Sequence, residues 1–232
     1  MKIAGLQKVT LLDYPKHIAA SVFLAGCNFN CGYCHNRWMI RADQVEPYMA
    51  VGAFLDWLTT RQGLLDGVCI SGGEPTLHAD LGELIDAIRA LGFAIKLDTN
   101  GALPEWLEPL LSSGRVDYVA MDIKAPLDAR YSAVAGTKAN LDAIRESMRL
   151  LREGHCAYEF RTTMGPPLTL DDLDAIADAI RPEDAWFLNP FVAAETIPAE
   201  VLAMGWVETE ELVRAAEALR PRLPRLRVRG AD

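Results

Sequence analysis

Short apolar runs alternate with amphipathic stretches along almost the whole chain. The runs fall at Ile18–Leu24, Val68–Ile70, Ala94–Leu97, Tyr118–Met121, Tyr158–Thr162 and Trp186–Leu188, each of strand length. Between them, apolar residues return every three or four positions. Val51, Phe54, Leu55 and Leu58 form one such face, and Leu81, Leu84, Ile85, Ile88 and Leu91 another. The spacing recurs at Leu141, Ile144, Met148 and Leu151, at Leu170, Leu173, Ile176 and Ile180, and at Leu212, Val213, Ala216 and Leu219. Each predicts a helix with one buried face. Gly63, Gly67, Gly92, Gly114 and Gly154 stand where helices return to strands, and predict left-handed caps. Repeated β-α alternation implies a parallel sheet. Ahead of it, residues 1–17 read as a short extended segment and a turn at Leu11-Leu12-Asp13-Tyr14-Pro15.

Every predicted strand ends in polar residues. The first runs into a cysteine-rich loop, and the second ends in Ser71-Gly72-Gly73-Glu74-Pro75. Then come Asp98-Thr99-Asn100-Gly101, Asp122-Ile123-Lys124, Arg161-Thr162-Thr163 and Asn189-Pro190. Solvated loops place polar residues at any one strand end. A complete series of such ends, headed by cysteines, points instead to the rim where barrel-type α/β folds bind ligands. The predicted fold is an open partial (β/α)6 TIM-like barrel spanning residues 18–191. Residues 1–17 would be an N-terminal extension, and residues 192–232 a C-terminal helix and arginine-rich tail packed on the same domain.

Composition narrows the class. A chain of 232 residues suffices for one sizeable core, and 50% hydrophobic with 24% charged residues is ordinary for a soluble protein. The net charge of −9 argues against non-specific nucleic-acid binding. Met1-Lys2-Ile3-Ala4-Gly5 lacks an apolar signal-peptide core, and no apolar run is long enough to span a bilayer. Cytoplasmic residence, where thiols stay reduced, is therefore expected. Cys69 and Cys156 lie in or beside apolar runs and read as core residues.

The remaining cysteines carry the chemistry. Cys27, Cys31 and Cys34, in Gly26-Cys27-Asn28-Phe29-Asn30-Cys31-Gly32-Tyr33-Cys34-His35-Asn36, have the spacing Cys-x3-Cys-x2-Cys. Four cysteines normally close an iron–sulfur cluster, so three leave one iron without a protein ligand. An open position marks a reactive centre rather than a structural one. A zinc site from these thiols and His35 is the competing reading, although adjacent residues rarely both reach one tetrahedral ion. A disulfide framework does not suit cysteines so few and so clustered.

This loop, with an aromatic before its last cysteine, resembles the radical S-adenosylmethionine (SAM) superfamily. The resemblance implies a [4Fe–4S] cluster on Cys27, Cys31 and Cys34 whose open iron is chelated by SAM. It also implies an open partial barrel of the radical SAM type. Gly72, Gly73, Glu74 and Pro75 match its glycine-rich motif, with Glu74 fixing the strand-end geometry. Asp98, Thr99 and Asn100 resemble the strand end that contacts the ribose and methionyl part of SAM. Lys124 would neutralise a carboxylate or simply pair with Asp122. Arg161 would serve as a fork for the SAM carboxylate. Tyr33 would lie near the adenine, or pack under the loop.

Within the superfamily, Tyr33-Cys34-His35-Asn36 together with the Asp-Thr-Asn-Gly and Asp-Ile-Lys strings resembles activases of glycyl-radical enzymes. Lys8-Val9-Thr10-Leu11-Leu12-Asp13-Tyr14-Pro15 resembles activating proteins of anaerobic (class III) ribonucleoside-triphosphate reductase. The implied activity is reductive cleavage of SAM, with an electron from a flavodoxin- or ferredoxin-like donor, giving a 5′-deoxyadenosyl radical that abstracts hydrogen from a glycine of the reductase. No catalytic residue beyond cluster and SAM is implied. Residues after Asn189 depart from that pattern. A radical SAM enzyme acting on a small molecule or nucleobase, such as a deazapurine-forming synthase, is therefore the second reading, and a non-catalytic iron–sulfur carrier the third. In the tail, Leu226 and Val228 alternate with Arg225, Arg227 and Arg229, as in an edge strand with one solvated face. A docking strip for an acidic partner or a phosphate is the alternative.

Overall fold

The computed structural model describes residues 1–231. Eight strands form one mostly parallel open sheet in which they follow one another in sequence order, the fifth being β5 (Tyr118–Asp122), with helices between them. This is the predicted α/β architecture, with a strand added at each end. No helix among the described residues is long and apolar enough to cross a membrane.

By contacts the chain divides into two compact units. The first comprises Met1–Asn28, Trp38–Ala120 and Ala143–Ala157. In it, β2 (Ala19–Leu24), β3 (Gly67–Gly72) and β4 (Ala94–Thr99) pair in parallel, and β1 (Ile3–Thr10) adds antiparallel to β2. The extended segment expected at the start of the chain is this eight-residue strand. Helix α1 (Val51–Thr59) buries Phe54 and Leu58, and α2 (Leu81–Ala90) buries Leu84, Ile85 and Ile88. Strand residues Val22, Leu24, Val68, Ile70, Ile95 and Leu97 are fully buried, as expected of strands covered on both faces.

The glycines behave as predicted with one exception. Gly63, Gly92, Gly114 and Gly154 adopt positive φ, but Gly67 does not. Gly67 opens β3, and a Cβ there would lie 2.8 Å from the Ala94 carbonyl oxygen and 2.9 Å from the Tyr14 ring. Close packing, not a left-handed cap, requires glycine at this position.

The second unit comprises Phe29–Arg37, Met121–Asp142 and the chain from Tyr158 onward. Its strands β6 (Ala157–Thr163, all but the first residue), β7 (Trp186–Asn189) and β8 (Leu226–Val228) are parallel. Helices α6 (Leu170–Ala177) and α8 (Thr209–Leu219) bury Leu173, Ile176, Leu212, Ala216 and Leu219. A capping box of Thr169 and Asp172 starts α6. In the tail, Leu226 and Val228 are buried while Arg225 and Arg227 are exposed, so the edge-strand reading describes it.

Candidate cluster and cofactor site

In the first unit, the end of β3 closes on the start of the cysteine loop. The Gly73 amide donates to the Leu24 carbonyl (2.9 Å), and the Glu74 amide to the Gly26 carbonyl (2.8 Å). Side chains have no room here. A Cβ on Gly72, whose φ is +121°, would lie 2.3 Å from the Leu24 nitrogen, and one on Gly73 would lie 1.9 Å from the Gly26 oxygen. Two glycines are needed because backbone meets backbone directly before Cys27. On its other side, Cys27 is tied by its amide to the Ile40 carbonyl (3.0 Å).

Glu74 is fully buried. Its carboxylate accepts from the Thr76 amide (3.1 Å) and hydroxyl (2.5 Å), the Thr99 hydroxyl (2.7 Å) and the Asn100 amide (2.6 Å). Burial pushes its pKa upward, with these hydrogen bonds pulling the other way. The Glu74 side chain therefore welds the ends of β3 and β4. Asn100 extends the weld: its Nδ2 donates to Asn28 Oδ1 (2.7 Å), and its Oδ1 accepts from the Ala102 amide (2.9 Å). Asp98 stands apart from this knot. It pairs with the buried Lys96 and accepts from the Ser71 hydroxyl (3.0 Å), while its side chain keeps 14% exposure. Lys96 also donates to Cys69 Sγ (3.6 Å), so Cys69 is the core thiol expected.

In the second unit, the rest of the cysteine loop rests on three later loops. Its Asn30 amide donates to the Ala135 carbonyl (2.8 Å) at the end of α4 (Arg130–Ala135). A Cβ on Gly136 would lie 2.1 Å from the Asn30 oxygen, and one on Gly165 would lie 2.7 Å from the Tyr33 ring. A Cβ on Gly32 would lie 3.3 Å from the Val201 side chain of α7 (Ala199–Leu202). His35 Nε2 donates to the Val192 carbonyl (2.7 Å), and Arg37 donates to the Cys31 and Gly32 carbonyls. The acceptor being a carbonyl, His35 carries its hydrogen on Nε2. Sequence reasoning misses Asn28, Gly136 and Gly165; the glycines' only signal there is their place in turns.

Asp122, Lys124 and Arg161 come together. Asp122 accepts from Lys124 Nζ (2.8 Å) and Arg161 Nε (2.9 Å), and all three side chains are less than a quarter exposed. Burial disfavours charge on Lys124, yet the Asp122 carboxylate outweighs it and holds the ammonium pKa well above its ordinary value. The Cys31 thiol is pushed up by burial, with Lys124 as the largest opposing influence. Tyr33 is buried, and its hydroxyl has no hydrogen-bond partner.

The donor set fits an iron–sulfur centre. None of the three loop cysteines is in a disulfide; Cys31 is buried, and Cys27 and Cys34 are half-buried. Among the described residues, no three His, Cys, Asp or Glu side chains are grouped to hold a single metal ion, and His35 is engaged by Val192. A cubane takes each thiolate on a different iron, so its ligands need not converge on one point as around zinc.

Comparisons with known proteins agree. The profile of the Radical SAM superfamily matches residues 21–180. A Methanocaldococcus jannaschii protein provisionally named a glycyl-radical enzyme activating enzyme is 30% identical over 90% of this chain and 88% of its own. A 7-carboxy-7-deazaguanine synthase of Neisseria meningitidis serogroup B is 32% identical over 49% of this chain and 47% of its own. The crystal structure of Streptococcus suis SuiB bound to S-adenosylmethionine superimposes with a TM-score of 0.66 at 14% identity, covering 90% of this chain and 51% of that one. That likeness concerns the fold.

Proposed function

The chain belongs to the radical SAM superfamily, and from that premise we propose that it generates a glycyl radical on anaerobic (class III) ribonucleoside-triphosphate reductase. The superfamily uses a [4Fe–4S] cluster and SAM. Cys27, Cys31 and Cys34 would hold the cluster, which when bound supplies the electron that breaks the sulfonium C–S bond of SAM. The protein's own groups do the positioning. Gly72 and Gly73 let β3 seat the Cys27 backbone, and Glu74 with Thr99 and Asn100 keeps that junction rigid. Asp98, held by Lys96 and Ser71, offers a carboxylate suited to ribose hydroxyls. Asp122 orients Lys124 and Arg161, whose cationic heads suit the carboxylate of SAM. His35 ties the cluster loop to the segment after β7. Residues 18–191 form the catalytic core, flanked by residues 1–17 and 192–232. A flavodoxin- or ferredoxin-like protein serves as electron donor, in the reducing cytoplasm.

The observation carrying this reading is the 30% identity, over 90% of the chain, to an archaeal protein named for glycyl-radical activation. The class III reductase is the finer step, and it rests on the Lys8 to Pro15 resemblance. A second reading has its own support. The segment after β7 lies against the cysteine loop, through His35 on Val192 and Gly32 on Val201. A segment packed on the cysteine loop suits a small substrate, and a deazaguanine synthase is among the relatives.

Anaerobic EPR on the reconstituted protein with SAM, reductant and the reductase of the same organism separates the readings. A glycyl-radical doublet on the reductase, absent with Cys31→Ala, is the expected result. Accumulation of 5′-deoxyadenosine without a doublet would overturn the reductase assignment and direct the search to small molecules.

A further inference from the structure

Strand β4 carries a charge where a core strand has no need of one. Lys96 stands between Ile95 and Leu97, both fully buried, and its own side chain is 1% exposed. A lysine is almost never buried this completely without a partner. The partner is the carboxylate of Asp98, two residues on and therefore on the same face of the strand. Lys96 Nζ also lies 3.6 Å from Cys69 Sγ and 6.0 Å from the centre of the Tyr118 ring in β5. A methionine would fill the space beside that thiol and that ring without the desolvation an ammonium costs. What the ammonium adds is its hold on Asp98.

Asp98 is held from two strands. Lys96 donates to its Oδ1, and the Ser71 hydroxyl of β3 donates to its Oδ2 (3.0 Å). Cys69, the register partner of Lys96, lies two residues before Ser71, so all four side chains share one face of the sheet. Along that face the environment changes from closed to open: Lys96 is sealed, while Asp98 keeps 14% exposure. Glu74, the other carboxylate at these strand ends, is fully buried among Thr76, Thr99 and Asn100 and serves the fold. Asp98 is instead fixed from behind and reaches the surface. Its place relative to Cys27 is set within the same unit, because Asn100, two residues on, bonds Asn28 beside that cysteine. A carboxylate whose charge is already balanced suits a neutral donor better than a cation, and sugar hydroxyls are neutral donors.

We infer that Lys96 is a positioning residue: from inside the sheet it fixes and neutralises the Asp98 carboxylate, so that the exposed edge accepts from a ribose hydroxyl of SAM. Lys96 does not touch the cofactor and acts through Asp98. The inference rests on the SAM-dependent function proposed above and deepens it by assigning a role to a core residue.

The test measures binding rather than turnover. Isothermal titration calorimetry on the anaerobically reconstituted protein would compare SAM with its 2′-deoxy and 3′-deoxy forms. Wild type should bind one deoxy form about tenfold more weakly, as expected for losing one hydrogen bond to a charged group. Lys96→Met should hold wild-type iron, bind SAM about tenfold more weakly, and no longer distinguish SAM from that deoxy form. A lysine needed only for folding would weaken all the ligands alike and leave the discrimination at its wild-type size, which would overturn the inference. A wild type that distinguishes neither deoxy form would overturn it too. Lys96→Met should also melt below wild type, and adding Asp98→Asn should recover that loss, since neither charge is then left unpaired. Discrimination must stay lost in the double variant; its return would overturn the inference. If Lys96→Met is too unstable to reconstitute, Lys96→Gln, which keeps a donor but no charge, undergoes the same comparison with the same criteria. A wild type that takes up no cluster or binds no SAM would instead refute the proposed function.

Discussion

Replacing Gly73 by alanine tests whether close backbone approach seats the first cluster cysteine. The new Cβ would lie 1.9 Å from the Gly26 oxygen, 2.5 Å from the Gly26 carbonyl carbon and 3.2 Å from the Cys27 nitrogen. These are backbone atoms, so no rotamer change relieves the overlap, and the two segments must part by about 1 Å. Two hydrogen bonds span the junction, Gly73 to Leu24 and Glu74 to Gly26. Weakening them costs about 1 kcal/mol each, and the overpacking about 1–3 kcal/mol. The lower chain entropy of unfolded alanine offsets about 0.4–1 kcal/mol. A net loss of about 3 kcal/mol corresponds to a fall in Tm of roughly 6–12 °C for a chain of this size. Circular dichroism melts of the anaerobic apo-protein would measure it, alongside iron uptake per chain, which should also fall. Gly52→Ala in α1 is the control. A Cβ there meets nothing within 4 Å, so the variant should gain about 1 kcal/mol from helix propensity. If Gly73→Ala melted within about 2 °C of wild type and took up a full complement of iron, the close approach would not be what places Cys27.

Two further outcomes concern the buried charges. Burial raises the folded pKa of Glu74 above its ordinary value of 4.5, so the folded state binds this proton more readily than the unfolded one. Its contribution to stability is then full below the unfolded pKa and declines as pH rises through the raised folded value. Urea titrations from acid to neutral pH should show wild type losing ground to Glu74→Gln as pH rises; the opposite slope would contradict the assignment. Asp122→Asn keeps the shape but leaves Lys124 and Arg161 without the carboxylate they share. It should cost about 1–3 kcal/mol in apo-protein stability and raise the KM for SAM, and a variant matching wild type in both would sever this trio from the cofactor.

Local signals are legible in the chain and distant ones are not. The proposed cluster cysteines sit within one short loop, and the strands and helices flanking it announce themselves through periodicity. Strand β4 shows the boundary. Three apolar residues of Ala94–Leu97 suffice to identify it, but Lys96 among them is as buried as its neighbours. Its burial depends on Asp98 and on Cys69, its register partner on β3, and pairing across strands is not written in either segment alone. Strand β1 gives a weak signal because it is half-exposed, with Lys8 and Val9 open to solvent. Helix α3 (Pro104–Ser112) buries Leu107, Leu110 and Leu111 but carries Pro109 in its interior, which masks the helical pattern.

The same distinction explains the site itself. A loop proposed to take up metal through its sulfurs has little regular secondary structure of its own, so its rigidity has to come from elsewhere. The structure supplies it through backbone contacts in which glycine is obligatory. Gly72 and Gly73 meet Leu24 and Gly26 within the first unit; Gly136 meets Asn30 and Gly165 meets Tyr33 within the second. Of these, the paired glycines come directly after a strand and belong to a recognisable motif. Gly136 and Gly165 lie more than a hundred residues from the loop they support, in segments with no pattern of their own. Their role exists only once the chain has folded. A position of this kind tolerates no side chain because of what is opposite it, and what is opposite is set by topology rather than by neighbouring sequence.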